Sequence, residues 1–255
     1  MAPGLLGDVL SATLLGYALV FARIGAAMSF LPGIGETTVP VRVRLLLALA
    51  VAAALFPATP LADGLALRAP SAFVLLFAVE AGVGLWIGLA ARILFSALQF
   101  AGFQIGTAIG LSNAFAPGLG TFEGSTMVAS GLLMAGIALI FATDLHHHVV
   151  VALLDSYRVF PPGAFPTGDL ARQIAAAAAE SFRIGLSITA PFYAMGLLLN
   201  LGLGLANRMM PTLPVFFVAI PVLMASGFAV LAFGGAALFT GFLDGFAGWL
   251  DGFGA

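Results

Sequence analysis

Apolar positions fall in six long blocks, at about 5–30, 43–56, 71–111, 126–154, 171–207 and 213–243. Prolines punctuate them. Pro32 and Pro40 bracket a loop carrying Glu36, and Pro57, Pro60 and Pro70 bracket a second with Asp63 and Arg68. Pro161, Pro162 and Pro166 mark a third break, and Pro211 and Pro214 a short fourth. Proline lacks a backbone donor and clashes with the preceding turn, so these clusters read as helix ends. The pattern predicts an all-α chain of five to seven long, partly bent helical segments. Residues 112–125 are glycine-rich with one charge, Glu123.

Two blocks are too long for one simple bilayer crossing. As a single helix, residues 71–111 would extend about 60 Å at 1.5 Å per residue, against a hydrocarbon core of about 30 Å. This block must fold back between Arg92 and Gln104, or leave the bilayer and pack on protein. Block 171–207 poses the same problem. It holds Arg172, Glu180 and Arg183, which lipid penalises, and Pro191, which predicts a kink. Glu180 and Arg183 are three apart and can meet on one helical face.

Composition settles the solvent. Hydrophobic residues make up 62% and charged residues 8%, against roughly 25% charged in a soluble domain. With a mean hydropathy of +1.14, the chain reads as a polytopic membrane protein, solvated by lipid, by other apolar subunits or by both. The nine cations are all arginine, net charge is −2, and no segment is a run of one sign. That argues against a nucleic-acid partner, which needs clustered cations. Without cysteine, disulfides, thiolate metal sites and a cysteine nucleophile are excluded. The first cation, Arg23, follows the first apolar stretch, so residues 5–30 are expected to stay as a membrane helix rather than serve as a cleavable signal. Arg42 and Arg44 flank a loop and point to a cytoplasmic first loop. No tandem repeat is visible, and residues 1–255 are expected to form one helical domain.

Several constellations admit two readings. Gly102, Gly106 and Gly110 recur every four residues and would line one helical face, as would Gly84 and Gly88 upstream. Such a groove suits close docking, on another subunit or within the chain. Gly196, Asn200, Gly204 and Arg208 also step by four and, with Asn207, form a polar stripe that should face protein or water. That stripe is either a solute path or a hydrogen-bonded helix interface. Glu80 is the most deeply placed acid. It is either a proton carrier or an ion-pair partner of Arg23, Arg42, Arg44 or Arg92, and without a second acid or histidine on its face the ion pair is preferred. His146, His147 and His148 point about 100° apart on a regular helix and should not converge on one ion. They read as a polar patch at a helix start, with Asp144 as its N-cap. No metal or cofactor is expected. Lysine is absent, so no phosphate-binding loop of the Gly-Lys-Ser/Thr type exists, and no Gly-x-Ser-x-Gly or His-Glu-x-x-His pattern appears. Nothing points to an enzyme.

The order of several stretches resembles the FliR family of flagellar biosynthetic proteins and their injectisome counterparts. The stretches are Val39–Arg44 before an apolar helix ending at Pro57, Glu80–Arg92, Ala101–Ser112, Leu154–Tyr157 ahead of Pro161–Gly163, Asn200–Pro211 and Val215–Pro221. This resemblance implies a non-enzymatic subunit of the flagellar type III export gate in the bacterial inner membrane, at the flagellar basal body. It implies assembly with FliP and FliQ homologues, contact with FlhB-type and FlhA-type components, and passage of unfolded flagellar proteins. Helices that look transmembrane would then lie largely inside the assembly as bent hairpins. The family's plug loop matches Gly110–Gly118, which makes Ser112, Asn113, Phe115, Pro117 and Gly118 gate residues, with Phe115 as the plugging side chain. Here Ala116 stands where the family often has aspartate, Asn113 where an aromatic is frequent, and Thr212 replaces a frequent glutamine. Arg42, Arg44, Glu80, Arg92, Asn200, Asn207 and Arg208 would make polar inter-helix contacts. A stand-alone solute transporter would need inverted repeats and charges converging at the midplane, and neither is visible.

Overall fold

The computed structural model describes residues 3–62, 70–111, 123–164, 167–209 and 215–252. Within them the chain is helical, with no strand. The helices are α1 (Pro3–Phe30), α2 (Val41–Leu55), α3 (Pro70–Ala108), α4 (Glu123–Ala142), α5 (Leu145–Val159), α6 (Thr167–Met209) and α7 (Val215–Asp251), with one 3-10 turn at Phe56–Ala58. Five are long and apolar enough to cross a membrane, or six spans if α4 and α5 form one broken span. The chain is thus an all-α, multi-pass membrane protein by its helices.

The prolines act where the sequence puts them. Pro40 precedes α2 with φ −57 and ψ 136 and accepts at its carbonyl from Val43 N (2.9 Å) and Arg44 N (3.1 Å). Pro57 sits in the 3-10 turn that ends α2, which Thr59 closes by donating to Phe56 O at 2.8 Å. Proline does not break the long helices, however. α6 runs through Pro191 and α7 through Pro221. Nor does α3 fold back near Arg92. It is one helix of 39 residues, about 58 Å long at 1.5 Å per residue. The predicted block 126–154 divides instead at Thr143 and Asp144. Asp144 takes up φ 60, the left-handed region, which ends one helix before the next begins.

The helices feed two compact units. The first gathers Met1–Leu94, Asp144–Ala178 and Ala247–Ala255, and the second gathers Phe95–Thr143 and Ala179–Phe246. In the first, α1 and α3 cross so closely that glycine is required. A Cβ on Gly84 would collide with the Arg23 carbonyl, and one on Gly88 would lie 2.5 Å from Ala27 O. Tyr17 ties α1 to α2 by donating to Leu49 O at 3.0 Å. Trp86 packs edge-on against Phe160 (5.4 Å) and donates its indole N–H to Leu170 O at 3.3 Å.

The second unit is held by rings and small residues. Phe95 meets Phe242 and Phe246 edge-on, at 5.1 and 5.2 Å between centroids. A Cβ on Gly102 would strike the Ala129 backbone of α4, and one on Gly136 would strike the Leu98 side chain. Ser96 and Ser181 share a hydrogen bond of 3.2 Å between α3 and α6.

Candidate functional site

The densest polar cluster sits inside the first unit. α1 is apolar around Arg23, yet the whole arginine is buried, as are Glu80 and Ser156. A buried guanidinium is tolerable only when its donors are met and its charge is paired. Arg23 meets both conditions by reaching three places in the chain. Its Nε donates to Glu80 Oε2 at 2.7 Å, one terminal nitrogen to Ser156 Oγ at 3.2 Å, and the other to the Phe160 carbonyl at 2.9 Å. Its guanidinium carbon lies 3.9 Å from the centroid of the Tyr157 ring, a cation–π contact. Ser156 in turn donates to Leu153 O at 2.6 Å.

One side chain therefore joins α1, α3 and the end of α5. Four arginines were open to Glu80 in the sequence, and Arg23 is the one it meets. Glu80 Oε1 and the Tyr157 hydroxyl have no hydrogen-bond partner among the described residues. The geometry is that of a clamp. With one oxygen of Glu80 tied to a guanidinium, the carboxylate serves to hold three helices in register. The roles of Ser156, Tyr157 and the Phe160 carbonyl escaped the sequence reading. The available signal was a lone cation inside the first apolar block, since such a charge must have a buried partner.

The other predicted contact residues separate into two groups. Arg44 is turned onto its own preceding loop, where it donates to the carbonyls of Ile34 (3.1 Å), Glu36 (2.7 Å) and Val39 (3.4 Å). It closes the loop before α2, whose Glu36 carbonyl also accepts from Val39 N at 3.1 Å. Arg42, Arg92, Asn200, Asn207 and Arg208 are exposed and reach no partner among the described residues. The Asn200 stripe is open on much of its length. Nothing lies within 4 Å of a Cβ built on Gly204, whereas Gly196 is buried, with Ala108 O at 3.7 Å.

The glycine row also divides. Gly102 and Gly106 are buried in α3. Gly110 does not share their face, because α3 stops at Ala108 and Gly110 adopts φ 79. It is a helix-terminating glycine in the left-handed region, with its N–H on Thr107 O at 3.1 Å. The gate residues Ser112, Asn113, Phe115, Pro117 and Gly118 lie outside the described residues, as do residues 210–214.

Asp144 stands at the N-cap position of α5, but its carboxylate makes no cap hydrogen bond. Its carbonyl takes the His147 N–H at 2.9 Å instead. The left-handed backbone turns the carboxylate away from the amides it would cap. It brings Asp144, His146 and His147 together, with one donor atom of each within 4.8 Å of the others. The argument from helical spacing does not reach Asp144, which precedes the helix.

Glu180 and Arg183 do pair on one face of α6, with Arg183 Nε 2.8 Å from Glu180 Oε2. Arg183 is exposed, with its side chain at 66%, and Glu180 is half-buried, at 35%.

The chain matches the model of the bacterial export proteins, family 1, over residues 14–248. It is 38% identical to the flagellar biosynthetic protein FliR of Caulobacter vibrioides over 216 residues, which cover 83% of this chain and 85% of that protein. It is 30% identical to FliR of Escherichia coli over 81% of this chain and 79% of that one. FliR of Bacillus subtilis is also 30% identical, over 83% of each chain. A match across nearly the whole sequence, carried by a chain of long apolar helices, places it plainly: the chain belongs to the bacterial export proteins of family 1, together with the FliR proteins.

Proposed function

We propose that this chain is a non-enzymatic subunit of the flagellar type III protein export gate, passing unfolded flagellar proteins across the bacterial inner membrane at the flagellar basal body. The observation that carries this reading is its similarity to the Caulobacter vibrioides FliR protein over most of both chains. The partners are FliP and FliQ homologues in one hetero-oligomer, with FlhB-type and FlhA-type components beside it, and the whole chain acts as one export-gate domain. Exposed apolar side chains support a surface completed by protein or lipid. Leu197, Leu198, Leu201, Leu205 and Met209 on α6 are 58–84% exposed, and Phe233 on α7 is 91% exposed. Apolar side chains left this open call for a protein or lipid neighbour rather than water. Arg42, Arg92, Asn200, Asn207 and Arg208, unpartnered within the described chain, then contact neighbouring subunits, and Phe115 contributes to closing the channel.

The test is a gentle-detergent pull-down of the tagged chain from its own host, read by mass spectrometry. Recovery of FliP and FliQ homologues in one stable particle is expected. A lone monomer or homodimer, with both homologues expressed but absent from the particle, would overturn the reading. Within an assembled gate, Phe115→Gly should make resting cells leaky to ions. Unchanged ion permeability would remove Phe115 from the gate.

A further inference from the structure

We propose that Asp144, His146 and His147 form a binding site for a divalent transition-metal ion of the zinc class. The chain has three histidines in all, at 146–148. Two of them and Asp144 present an oxygen and two nitrogens within 4.8 Å of one another. This donor set suits zinc, cobalt, nickel or copper and not magnesium or calcium, which prefer oxygen throughout.

Three observations distinguish this cluster from a merely polar helix start. First, the Asp144 carboxylate is not spent on capping. It makes no cap bond to α5 and instead faces His147, Oδ1 to Nδ1 at 3.6 Å, close enough for an ion pair with a protonated imidazole but too long for a hydrogen bond. Second, the two imidazoles lie on the same side of the helix start, with ring centroids 4.1 Å apart and planes at 37°. Third, Asp144 is the one non-glycine residue with positive φ among the described residues, and that turn is what carries the carboxylate to the imidazoles.

Zinc bonds of about 2.0–2.1 Å in a tetrahedron hold donors roughly 3.3 Å apart. Donors up to 4.8 Å apart must therefore close by up to about 1.5 Å, which side chains as exposed as Asp144 (78%) and His147 (70%) can do by rotating. Three protein donors leave a fourth position for water or a donor from a neighbour. A bound ion would brace the start of α5, because it links the residue before the helix to its first turn.

The test is calorimetric titration of Zn2+ into the full-length chain in its detergent-solubilised assembly near neutral pH, purified without a polyhistidine tag. One saturable ion per chain is expected, and Co2+ should give the visible bands of a low-coordinate site. Losing a supporting partner of a metal ligand costs roughly 10–100-fold in affinity, and Asp144→Asn or His147→Ala removes a ligand itself, so each should cost at least that much. His148→Ala, outside the cluster, should change little. His147→Gln serves as a second variant if His147→Ala does not yield an intact particle. Absence of saturable binding overturns the proposal. So does equal loss in His148→Ala and His147→Ala with none in Asp144→Asn, which would mean an unspecific histidine tract.

Discussion

Two arginine–carboxylate pairs in this chain do opposite kinds of work. Arg23 and Glu80 are 57 residues apart and wholly buried in the first unit. Glu180 and Arg183 are three apart on α6, the arginine exposed and the glutamate half-buried. Both join an Nε to a carboxylate oxygen, at 2.7 and 2.8 Å, and Arg183 adds a second bond to Glu180 Oε1 at 2.5 Å. What differs is the consequence of losing one partner. Inside the first unit the survivor would be a charge with no water to receive it. On α6 the survivor keeps access to its surroundings. An ion pair thus organises a fold only where its members cannot escape, and a distance alone does not reveal which kind it is.

The largest effect should come from opening the buried pair. Arg23→Met leaves Glu80 unpaired and should cost about 3–5 kcal/mol, read as a lower midpoint of thermal unfolding in detergent. Arg23→Met combined with Glu80→Met should recover most of that loss, since no charge remains buried. A double variant as unstable as the single one would show that the ionic term is not what matters there.

Next comes the close crossing that seats the pair. Gly84→Ala would push a methyl group into the Arg23 carbonyl, an overpacking cost of about 1–3 kcal/mol. Gly102→Ala should have a similar cost against Ala129 in the second unit, where no charge is involved. Unfolding midpoints for both variants would separate packing from electrostatics. If Gly84→Ala costs no more than Gly102→Ala, the crossing tolerates strain independently of the clamp. An unchanged midpoint for either would mean that the helices slide apart to admit the methyl.

The smallest effect belongs to the pair on α6. Arg183→Gln should lower the unfolding midpoint less than Arg23→Met, because the surviving Glu180 is not enclosed by this chain, though it sits in an apolar span where a lone carboxylate still carries a cost. A drop comparable to that of Arg23→Met would erase the distinction drawn between the two regions.

Much of this was legible beforehand. The all-helical class, the proline-marked ends and the membrane class follow from the run lengths of apolar residues, because backbone groups in lipid must be satisfied within the helix, whereas the helix number was bounded only at five to seven. The Glu180–Arg183 pair follows from spacing. Two features did not follow. Gly110 kept the four-residue rhythm of Gly102 and Gly106, yet it ends the helix, because a period carries no information about where hydrogen bonding stops. The break at Asp144 was hidden in an unbroken apolar block, since a left-handed residue leaves no hydropathy signal.

The sequence by itself determined that this chain is helical, lipid-compatible and a member of a bacterial export family, because composition, periodicity and motif order are properties of neighbouring residues. Only the tertiary structure decided which arginine meets Glu80, which glycines touch a backbone and which face open space, and that Asp144 lies beside His146 and His147. The first two outcomes depend on contacts between distant segments, and the third on one left-handed residue at a helix break. The energies of those contacts are set by burial and by exclusion of water, and neither exists until the helices have packed.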